Sequence, residues 1–206
     1  VIYSAAIQKD NPELVAAREK QIPVFERSVV LGWLTQQYSD CICVAGTHGK
    51  TTVSSMTAHL LRQSHVDCNA FLGGILKNYN TNLLLSERSR ITVAEADEYD
   101  RSFHWLRPHI AIITSADPDH LDVYGTAEAY RESFEYFTSL IRPGGHLFLK
   151  KGAAVTPRTL AEVKVWSYSE EDGNYHAENI RIGEGEIRFD YVSPKQRISD
   201  LNLGVP

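Results

Sequence analysis

Short apolar runs alternate with amphipathic segments over most of the chain. The runs at 41–45, 91–94 and 109–114 are almost wholly apolar, as expected for strands that are covered on both faces. Segments 50–63 and 127–141 instead carry apolar residues at helical spacing. Strands that alternate with helices predict an α/β fold with a mostly parallel, P-loop-type sheet flanked by helices.

The two longer helices should each turn one apolar face toward this sheet. The residues predicted to face inward are Val53, Met56, Leu60 and Leu61 in the first helix, and Tyr130, Phe134, Phe137 and Ile141 in the second. Pro143-Gly144-Gly145 then ends the second helix, and residues 146–150 are predicted to form the next strand.

The first 39 residues predict a separate β-α-β-α run. Residues 1–7 and 22–25 are short apolar strands in this interpretation. Asn11 can cap the first helix, with Pro12 at its first position, and Ser28 is the candidate cap of the second. We interpret this run as the end of an α/β unit.

The last forty or so residues show a different sequence pattern. Short apolar runs are separated by turn residues such as Gly183-Glu184-Gly185, which predicts a small antiparallel sheet. The predicted strands are 163–168, 175–182, 186–192 and 198–203. The chain begins at Val1 without an initiator Met and ends as abruptly at Pro206, so we interpret it as a fragment.

The composition limits the kinds of binding partner that we expect for the chain. The formal net charge is −5 and no basic patch or tail is visible, so charge does not suggest binding to nucleic acid or to an anionic membrane. No apolar run approaches the roughly 20 residues of a membrane span. The three cysteines, Cys41, Cys43 and Cys68, are too few and odd in number for a disulfide scaffold, which favours a reducing, cytoplasmic location. Cys41 and Cys43 should point to one face of a strand and serve packing.

A glycine-rich loop lies between the strand at 41–45 and the helix at 50–63. Its glycines and the helix start can surround phosphate oxygens with backbone N–H groups. Lys50 would neutralise the β and γ phosphates of ATP, and Thr51 offers a hydroxyl to Mg²⁺. Val44 stands where the first Gly of the longer P-loop pattern belongs. The candidate nucleotide-binding residues are Gly46, Thr47, His48, Gly49, Lys50, Thr51 and Thr52.

Two polar clusters follow the next strands of the predicted sheet. Glu95–Asp100 comes directly after the strand at 91–94, and Asp117–Asp122, which contains His120, follows the strand at 109–114. An isolated acidic stretch is usually a solvated loop. Because carboxyl ends of parallel strands meet at one edge, however, both clusters should converge on the phosphate loop and provide metal ligands.

Three ordered motifs resemble those of the Mur ligases, and the resemblance covers nearly the whole chain. They are Gly46–Thr52, Glu95–Asp100 followed by Arg101-Ser102-Phe103, and Asp119–Gly125. The resemblance implies that residues 1–39 end a UDP-binding domain and that residues 40–206 form the central ATP-binding domain. The family's C-terminal ligase domain is absent from this sequence.

The resemblance also implies a reaction, that of the branch of the family that uses L-alanine. ATP transfers its γ-phosphoryl group to the carboxylate of UDP-N-acetylmuramate, and the amine of L-alanine attacks the acyl phosphate. The products are an amide for peptidoglycan precursor synthesis, ADP and phosphate. The implied cofactors are ATP and Mg²⁺.

Roles of single residues follow from the matched motifs. The resemblance implies that Lys50 clamps phosphate, that Thr51 and Glu95 share one Mg²⁺, and that His120 binds a second metal. It implies that Gly73 and Gly74 approach the muramoyl sugar. Ser115-Ala116 stands where many members carry Asn and an apolar residue, which puts a polar contact from this position in doubt.

Three alternatives stay open on the sequence. A recycling ligase of the same family attaches a murein tripeptide to the same sugar acid. A P-loop kinase or regulatory NTPase would share the loop without the ligase chemistry. A third possibility is a binding module only, because the resemblance leaves both flanking domains incomplete; we therefore expect little or no ligase activity from residues 1–206 alone.

Overall fold

Strands and helices alternate over much of the chain, as predicted. A computed structural model of the chain describes residues 1–183 and 185–204. Within these residues the strands are β1 (Ile2–Tyr3), β2 (Phe25–Glu26), β3 (Asp40–Ala45), β4 (Asn69–Leu76), β5 (Thr81–Leu84), β6 (Ile91–Glu95), β7 (Ile110–Ile113), β8 (His146–Lys150), β9 (Lys164–Tyr168), β10 (His176–Gly183), β11 (Glu186–Val192) and β12 (Arg197–Gly204). The helices are α1 (Pro12–Glu19), α2 (Arg27–Thr35), α3 (Lys50–Gln63), α4 (Leu121–Tyr124) and α5 (Ala127–Ser139), with a short 3-10 helix at Ser102–Trp105.

The main sheet has the strand order β5-β4-β6-β3-β7-β8-β9 over the described residues. Every neighbouring pair is parallel except β4 with β5, which confirms the mostly parallel α/β prediction. The antiparallel edge strand β5 was not predicted, because its polar start, Thr81-Asn82, hides the pattern. β3 lies near the middle, so the loop that follows it opens at the centre of one edge.

The prediction for β9 was wrong in one respect. The sequence placed this strand in the small antiparallel sheet, whereas it pairs in parallel with β8 and completes the main sheet. Two side chains attach it there: the indole Nε1 of Trp166 donates to Nδ1 of His146 (2.9 Å), and the Tyr168 hydroxyl donates to the Ile113 carbonyl (3.2 Å). The following strands β10, β11 and β12 form the predicted antiparallel sheet. Within its first turn, Glu184 lies outside the described residues.

Two apolar clusters cover the two faces of the main sheet. Strand β3 serves both, because Cys41, Cys43 and Ala45 belong to one cluster and Ile42 to the other. The first cluster contains Tyr130, Phe134 and Phe137 of α5 and Ile141 just after its end, the four residues of this segment that were predicted to be buried. The two thiols of β3 lie 3.4 Å apart and are free and buried, which confirms their packing role.

Helix α3 has the predicted bounds, but of its predicted inward residues Leu61 packs against the apolar cluster that contains Ile42, whereas the rest of the buried face differs. Its fully buried residues are Ser54 and Ala58, whereas Met56 and Leu60 are exposed. Because the preceding loop aims Thr51 at the sheet, the residues three and seven positions later share its face and meet the strands. The phosphate loop, rather than the apolar pattern, therefore sets the rotation of this helix.

Residues 1–39 form a short unit that packs on the main domain. β1 and β2 pair in parallel, and Asn11 caps α1 as predicted, accepting from the backbone N–H of Glu13 (2.9 Å). Ser28 does not cap α2, because the helix begins at Arg27 and the Ser28 hydroxyl donates to Glu26 (2.8 Å). No helix in the described parts of the chain is long and apolar enough to cross a membrane.

Candidate functional site

The phosphate loop is a tight turn between β3 and α3. Gly46 and Gly49 have φ of +143° and +82°, a region in which residues with a Cβ are strained. A Cβ on Gly46 would also lie only 2.1 Å from Oγ1 of Thr114, the residue that follows β7. The loop therefore needs glycine at Gly46 for two independent reasons, and it lies directly against the end of a neighbouring strand.

Side chains from the segment after β7 attach to this loop. The Thr114 hydroxyl donates to the His48 carbonyl (2.5 Å), and the Ser115 hydroxyl accepts from the His48 N–H (2.8 Å). The departure from the family pattern had put a polar contact from position 115 in doubt, and the structure shows one, since the Ser115 side chain reaches the loop backbone itself. Thr47 is held from the other side, because its hydroxyl contacts both Tyr130 OH and the Asp117 carbonyl (each 2.8 Å).

The exposed part of the loop is what a ligand would meet. His48, Gly49, Thr51 and Thr52 are exposed, whereas Gly46 is buried. These residues continue into the first turn of the 14-residue helix α3, whose N-terminal N–H groups carry partial positive charge. Backbone N–H groups and a helix start on an open edge are the usual setting for a bound phosphate.

Lys50 extends from the loop to a buried carboxylate that the sequence analysis did not select. Its Nζ lies 2.8 Å from the Gly46 carbonyl and 2.8 Å from Oε1 of Glu98. The Glu98 side chain is 0% exposed, and its Oε2 has no hydrogen-bond partner in the described part of the chain. Burial raises the pKa of Glu98, while the Lys50 ammonium acts in the opposite direction. Glu98 lies within the acidic motif, but nothing in the sequence separates it from the neighbouring carboxylates.

Thr51 and Glu95 form the oxygen pair that the sequence predicts as a Mg²⁺ site. The Thr51 hydroxyl donates to Oε1 of Glu95 (3.0 Å), and Oε2 accepts from the Gly73 N–H (2.9 Å). A hydroxyl and a carboxylate side by side, next to Lys50, are ligands that suit Mg²⁺. The residues present therefore fit the metal.

Gly73 and Gly74 allow strand β4 to lie close to this pair. A Cβ on Gly73 would be 2.6 Å from Oε2 of Glu95, and one on Gly74 would be 2.9 Å from Cγ2 of Thr51. The structure thus gives both glycines a packing reason that the sequence analysis, which considered only the sugar, had missed.

His120 lies apart from the residues just described. Its backbone has φ of +51°, its ring packs edge-to-face on Tyr99 (centroids 4.9 Å apart), and its Nε2 is 3.8 Å from Asp119 Oδ2. It makes no hydrogen bond or ion pair with Lys50 or Glu95 among the described contacts. Nor do any three His, Cys, Asp or Glu side chains of the described residues group closely enough to hold a metal. Two contacts connect His120 to Glu98: its ring packs on Tyr99, the residue after Glu98, and its carbonyl accepts from the N–H of Tyr124, whose hydroxyl donates to the Glu98 carbonyl.

A cavity of about 410 Å³ opens beside Glu95 and Gly73. It lies between helix α2 of the N-terminal unit and strands β4 and β5 of the main sheet. Most of its lining is apolar, and Arg27, Glu95 and Asp97 supply the charged groups. The apolar lining includes Val30, Leu31, Leu34, Phe71, Leu83 and Leu106. A mostly apolar cleft with a few convergent polar groups is typical of a ligand site.

Comparisons with known proteins point to one family. The model described as Mur ligase middle domain matches residues 44–206, and the model described as Mur ligase family, catalytic domain, matches residues 1–39. Among curated proteins, the UDP-N-acetylmuramate–L-alanine ligase of Parabacteroides distasonis is 62% identical over 207 residues, and that of Phocaeicola vulgatus is 59% identical over 206. Each match covers 100% of this chain and 45% of the relative, so the chain spans less than half the length of these proteins.

Solved structures give the same picture. The UDP-N-acetylmuramate–alanine ligase of Thermotoga maritima is 28% identical with a TM-score of 0.83, over 100% of this chain and 46% of that one. The murein tripeptide ligase of Neisseria meningitides has a TM-score of 0.77 at 22% identity, over 95% of this chain and 65% of that one, and shows a shared fold.

Proposed function

The chain belongs to the Mur ligase family, and we propose on that basis that it provides the ATP-binding part of a ligase that joins L-alanine to UDP-N-acetylmuramate. In this proposal residues 1–39 belong to the UDP-binding domain and residues 40–206 to the central ATP-binding domain. The relatives at 62% and 59% identity carry the name of this activity, which supports it over the other reactions of the family.

The observation that carries the proposal is the shared position of three groups at one edge of the sheet. Lys50 projects from the phosphate loop, and Thr51 lies 3.0 Å from Glu95 on the neighbouring strand β6. ATP bound here would meet the start of α3 with its phosphates. All seven loop residues from Gly46 to Thr52 are assigned to nucleotide binding in this proposal.

The chemistry requires positive charge, because a carboxylate must approach the anionic γ-phosphate. Lys50 supplies one positive charge, and its tie to the Gly46 carbonyl holds it over the loop. Thr51 and Glu95 would hold Mg²⁺, which adds charge stabilisation of the transferring phosphoryl group when it is bound. His120 is assigned to a second metal, and among the described residues its side chain contacts Tyr99 and Asp119.

The cavity beside Glu95 is the proposed entry for the carboxylate substrate. Gly73 lines this cavity and also donates its N–H to Glu95, so a sugar acid bound there would reach the phosphoryl group. The carboxylate oxygen takes the γ-phosphoryl group and ADP leaves. The nitrogen of L-alanine then attacks the acyl carbon, phosphate leaves, and the amine loses a proton as the amide forms. The apolar lining would limit competing attack by water.

A turnover assay with the complete product of the gene tests this function. ADP should form only when ATP, Mg²⁺, UDP-N-acetylmuramate and L-alanine are all present, with one amide per ADP. Amide formation with a murein tripeptide in place of L-alanine would identify the recycling ligase instead. Phosphate release or transfer without either co-substrate would identify an NTPase or kinase.

The proposal also covers the activity of residues 1–206 alone and the location of the protein. Residues 1–206 alone should give little or no ligase activity, and robust amide formation by them would overturn this. A cytoplasmic location fits the use of ATP and the three buried free thiols.

A further inference from the structure

Glu98 and Lys50 form an ion pair away from solvent. The Glu98 side chain is 0% exposed and that of Lys50 is 15% exposed, with 2.8 Å between Oε1 and Nζ. Burying two charges is costly, and the attraction between them often only offsets that cost. In addition, Oε2 of Glu98 has no hydrogen-bond partner among the described residues. Fold stability alone is therefore a poor reason for this pair.

The chain holds the Glu98 backbone firmly. The Tyr124 hydroxyl donates to the Glu98 carbonyl, which also accepts from the Arg101 N–H (3.0 Å). The Tyr124 hydroxyl also lies 3.3 Å from Ser133 Oγ on α5, and the Arg101 guanidinium lies 4.5 Å from the centre of the Tyr124 ring. A carboxylate on so restrained a segment is a fixed acceptor, so the flexible lysine is the partner that is positioned.

Two of the three N–H donors of the Lys50 ammonium are committed. One is directed at the Gly46 carbonyl and one at Glu98, both at 2.8 Å. A lysine ammonium carries three donors and no acceptor. With two fixed partners, the direction of the third N–H is fixed as well, and this is the donor left for a phosphate oxygen.

We propose that Glu98 is a positioning residue for phosphoryl transfer, which acts by holding the Lys50 ammonium in one orientation and by offsetting part of its charge. The inference rests on the proposed function for its turnover assay. Lys50 has two properties that Glu98 affects: the orientation of its ammonium group, which matters in the transition state, and its positive charge, which also attracts the bound nucleotide. Removing the Glu98 charge should therefore lower turnover without weakening nucleotide binding.

Glu98→Gln in the complete gene product tests this, because the amide keeps the shape and one acceptor but not the charge. The expected result is a fall in kcat of about ten- to a hundredfold, with AMP-PNP bound as tightly as by the wild type or a few times more tightly. Glu128→Gln is the matched control, since Glu128 is an exposed partner of Arg131 on α5. It should change neither quantity.

A double-mutant cycle separates positioning from a merely structural role. If Glu98 acts through Lys50, Glu98→Gln should change kcat by less than about twofold in a Lys50→Ala background. A full effect of Glu98→Gln in that background would overturn the inference. So would a loss of AMP-PNP affinity in parallel with kcat, or an unchanged kcat in Glu98→Gln.

Failure of the inference can be told from failure of the proposed function. If the wild type binds AMP-PNP but forms no amide, the proposed function fails, and the inference is then tested on affinity alone: weaker binding of AMP-PNP by Glu98→Gln would overturn it. If the wild type forms the amide and the two substitutions act independently on kcat, only the inference fails.

Discussion

Two regions of the molecule use ion pairs in opposite ways. At the phosphate loop, one pair, Lys50–Glu98, is almost fully shielded from water. The small sheet of β10, β11 and β12 instead carries a network on its surface. Its members are the pairs Arg181–Asp200, Arg188–Asp200, Arg188–Glu186, Arg197–Glu178 and Arg197–Asp190, in which most side chains are at least a third exposed.

The difference shows what a charged pair can be used for. On the small sheet, water and salt replace a lost partner, so each pair is a modest and exchangeable link between strands. At the loop, the Glu98 side chain is 0% exposed and Lys50 is its only ion-pair partner among the described residues, so the loss of Lys50 leaves Glu98 buried without a counter-charge. The first arrangement holds hairpins together, and the second is suited to fixing the direction of one ammonium group.

The largest expected effect is that of Lys50→Ala on turnover. Loss of the positive charge at the transferring phosphoryl group should lower kcat of the complete gene product by about a hundred- to a thousandfold. Lys151→Ala is the matched control, because Lys151 pairs with Asp172 on the surface and should leave kcat unchanged. Equal effects of the two substitutions in a steady-state assay would remove the distinction between the buried and the exposed pair.

The same substitution should also lower the free energy of unfolding, by about 3 kcal/mol near neutral pH. Burial raises the pKa of Glu98 above that of the unfolded chain, so the folded state takes up the proton more readily and gains stability as pH falls. Without the Lys50 ammonium, which lowers the pKa of Glu98, this carboxylate should take up its proton at a still higher pH. The loss of unfolding free energy caused by Lys50→Ala should therefore shrink in mild acid. Urea unfolding at several pH values measures this, and a loss that grows as the pH is lowered would contradict it.

Gly73→Ala should have a smaller effect, on activity more than on stability. The new Cβ would lie 2.6 Å from Oε2 of Glu95, so the carboxylate must rotate away from Thr51, and kcat should fall by about tenfold. Gly183→Ala is the control, because a Cβ there meets no atom within 4 Å. A Gly73→Ala enzyme with wild-type dependence of its rate on Mg²⁺ would show that Glu95 has not been disturbed.

The smallest effect is expected on the small sheet. Arg188→Ala breaks contacts to Glu186 and Asp200, yet its effect on the unfolding midpoint should be well below that of Lys50→Ala. The shift should fade further in high salt, because exposed pairs are screened. Thermal unfolding at low and high ionic strength checks this, and a large shift that persists at high salt would contradict the comparison.

The sequence predicted the residue types of the site better than the roles within it. The order of the three motifs along alternating strands and helices was enough to place Lys50, Thr51 and Glu95 at one edge, because parallel strands end together. Glu98 was missed although it lies in the same motif, since only tertiary packing distinguishes a buried carboxylate from an exposed one.

The helices give a similar lesson. Apolar residues repeat at positions 130, 134 and 137 of α5 and at 141 just after it, and all four are buried as predicted. Helix α3 has an apolar pattern of its own, but the attachment of its first turn to the loop overrides that pattern and buries Ser54 and Ala58. Strand β9 was assigned to the wrong sheet because a short amphipathic strand does not reveal its partner.

The central claim is that Lys50, Thr51 and Glu95 form one site for the phosphates of ATP and a divalent ion. Crystals of the chain grown with AMP-PNP and Mn²⁺, measured at the manganese absorption edge, test it most directly. The account predicts an anomalous peak within about 2.2 Å of Thr51 Oγ1 and a Glu95 oxygen, with a phosphate oxygen on Lys50 Nζ. A manganese ion bound with the phosphates but in contact with neither Thr51 nor Glu95 would contradict it.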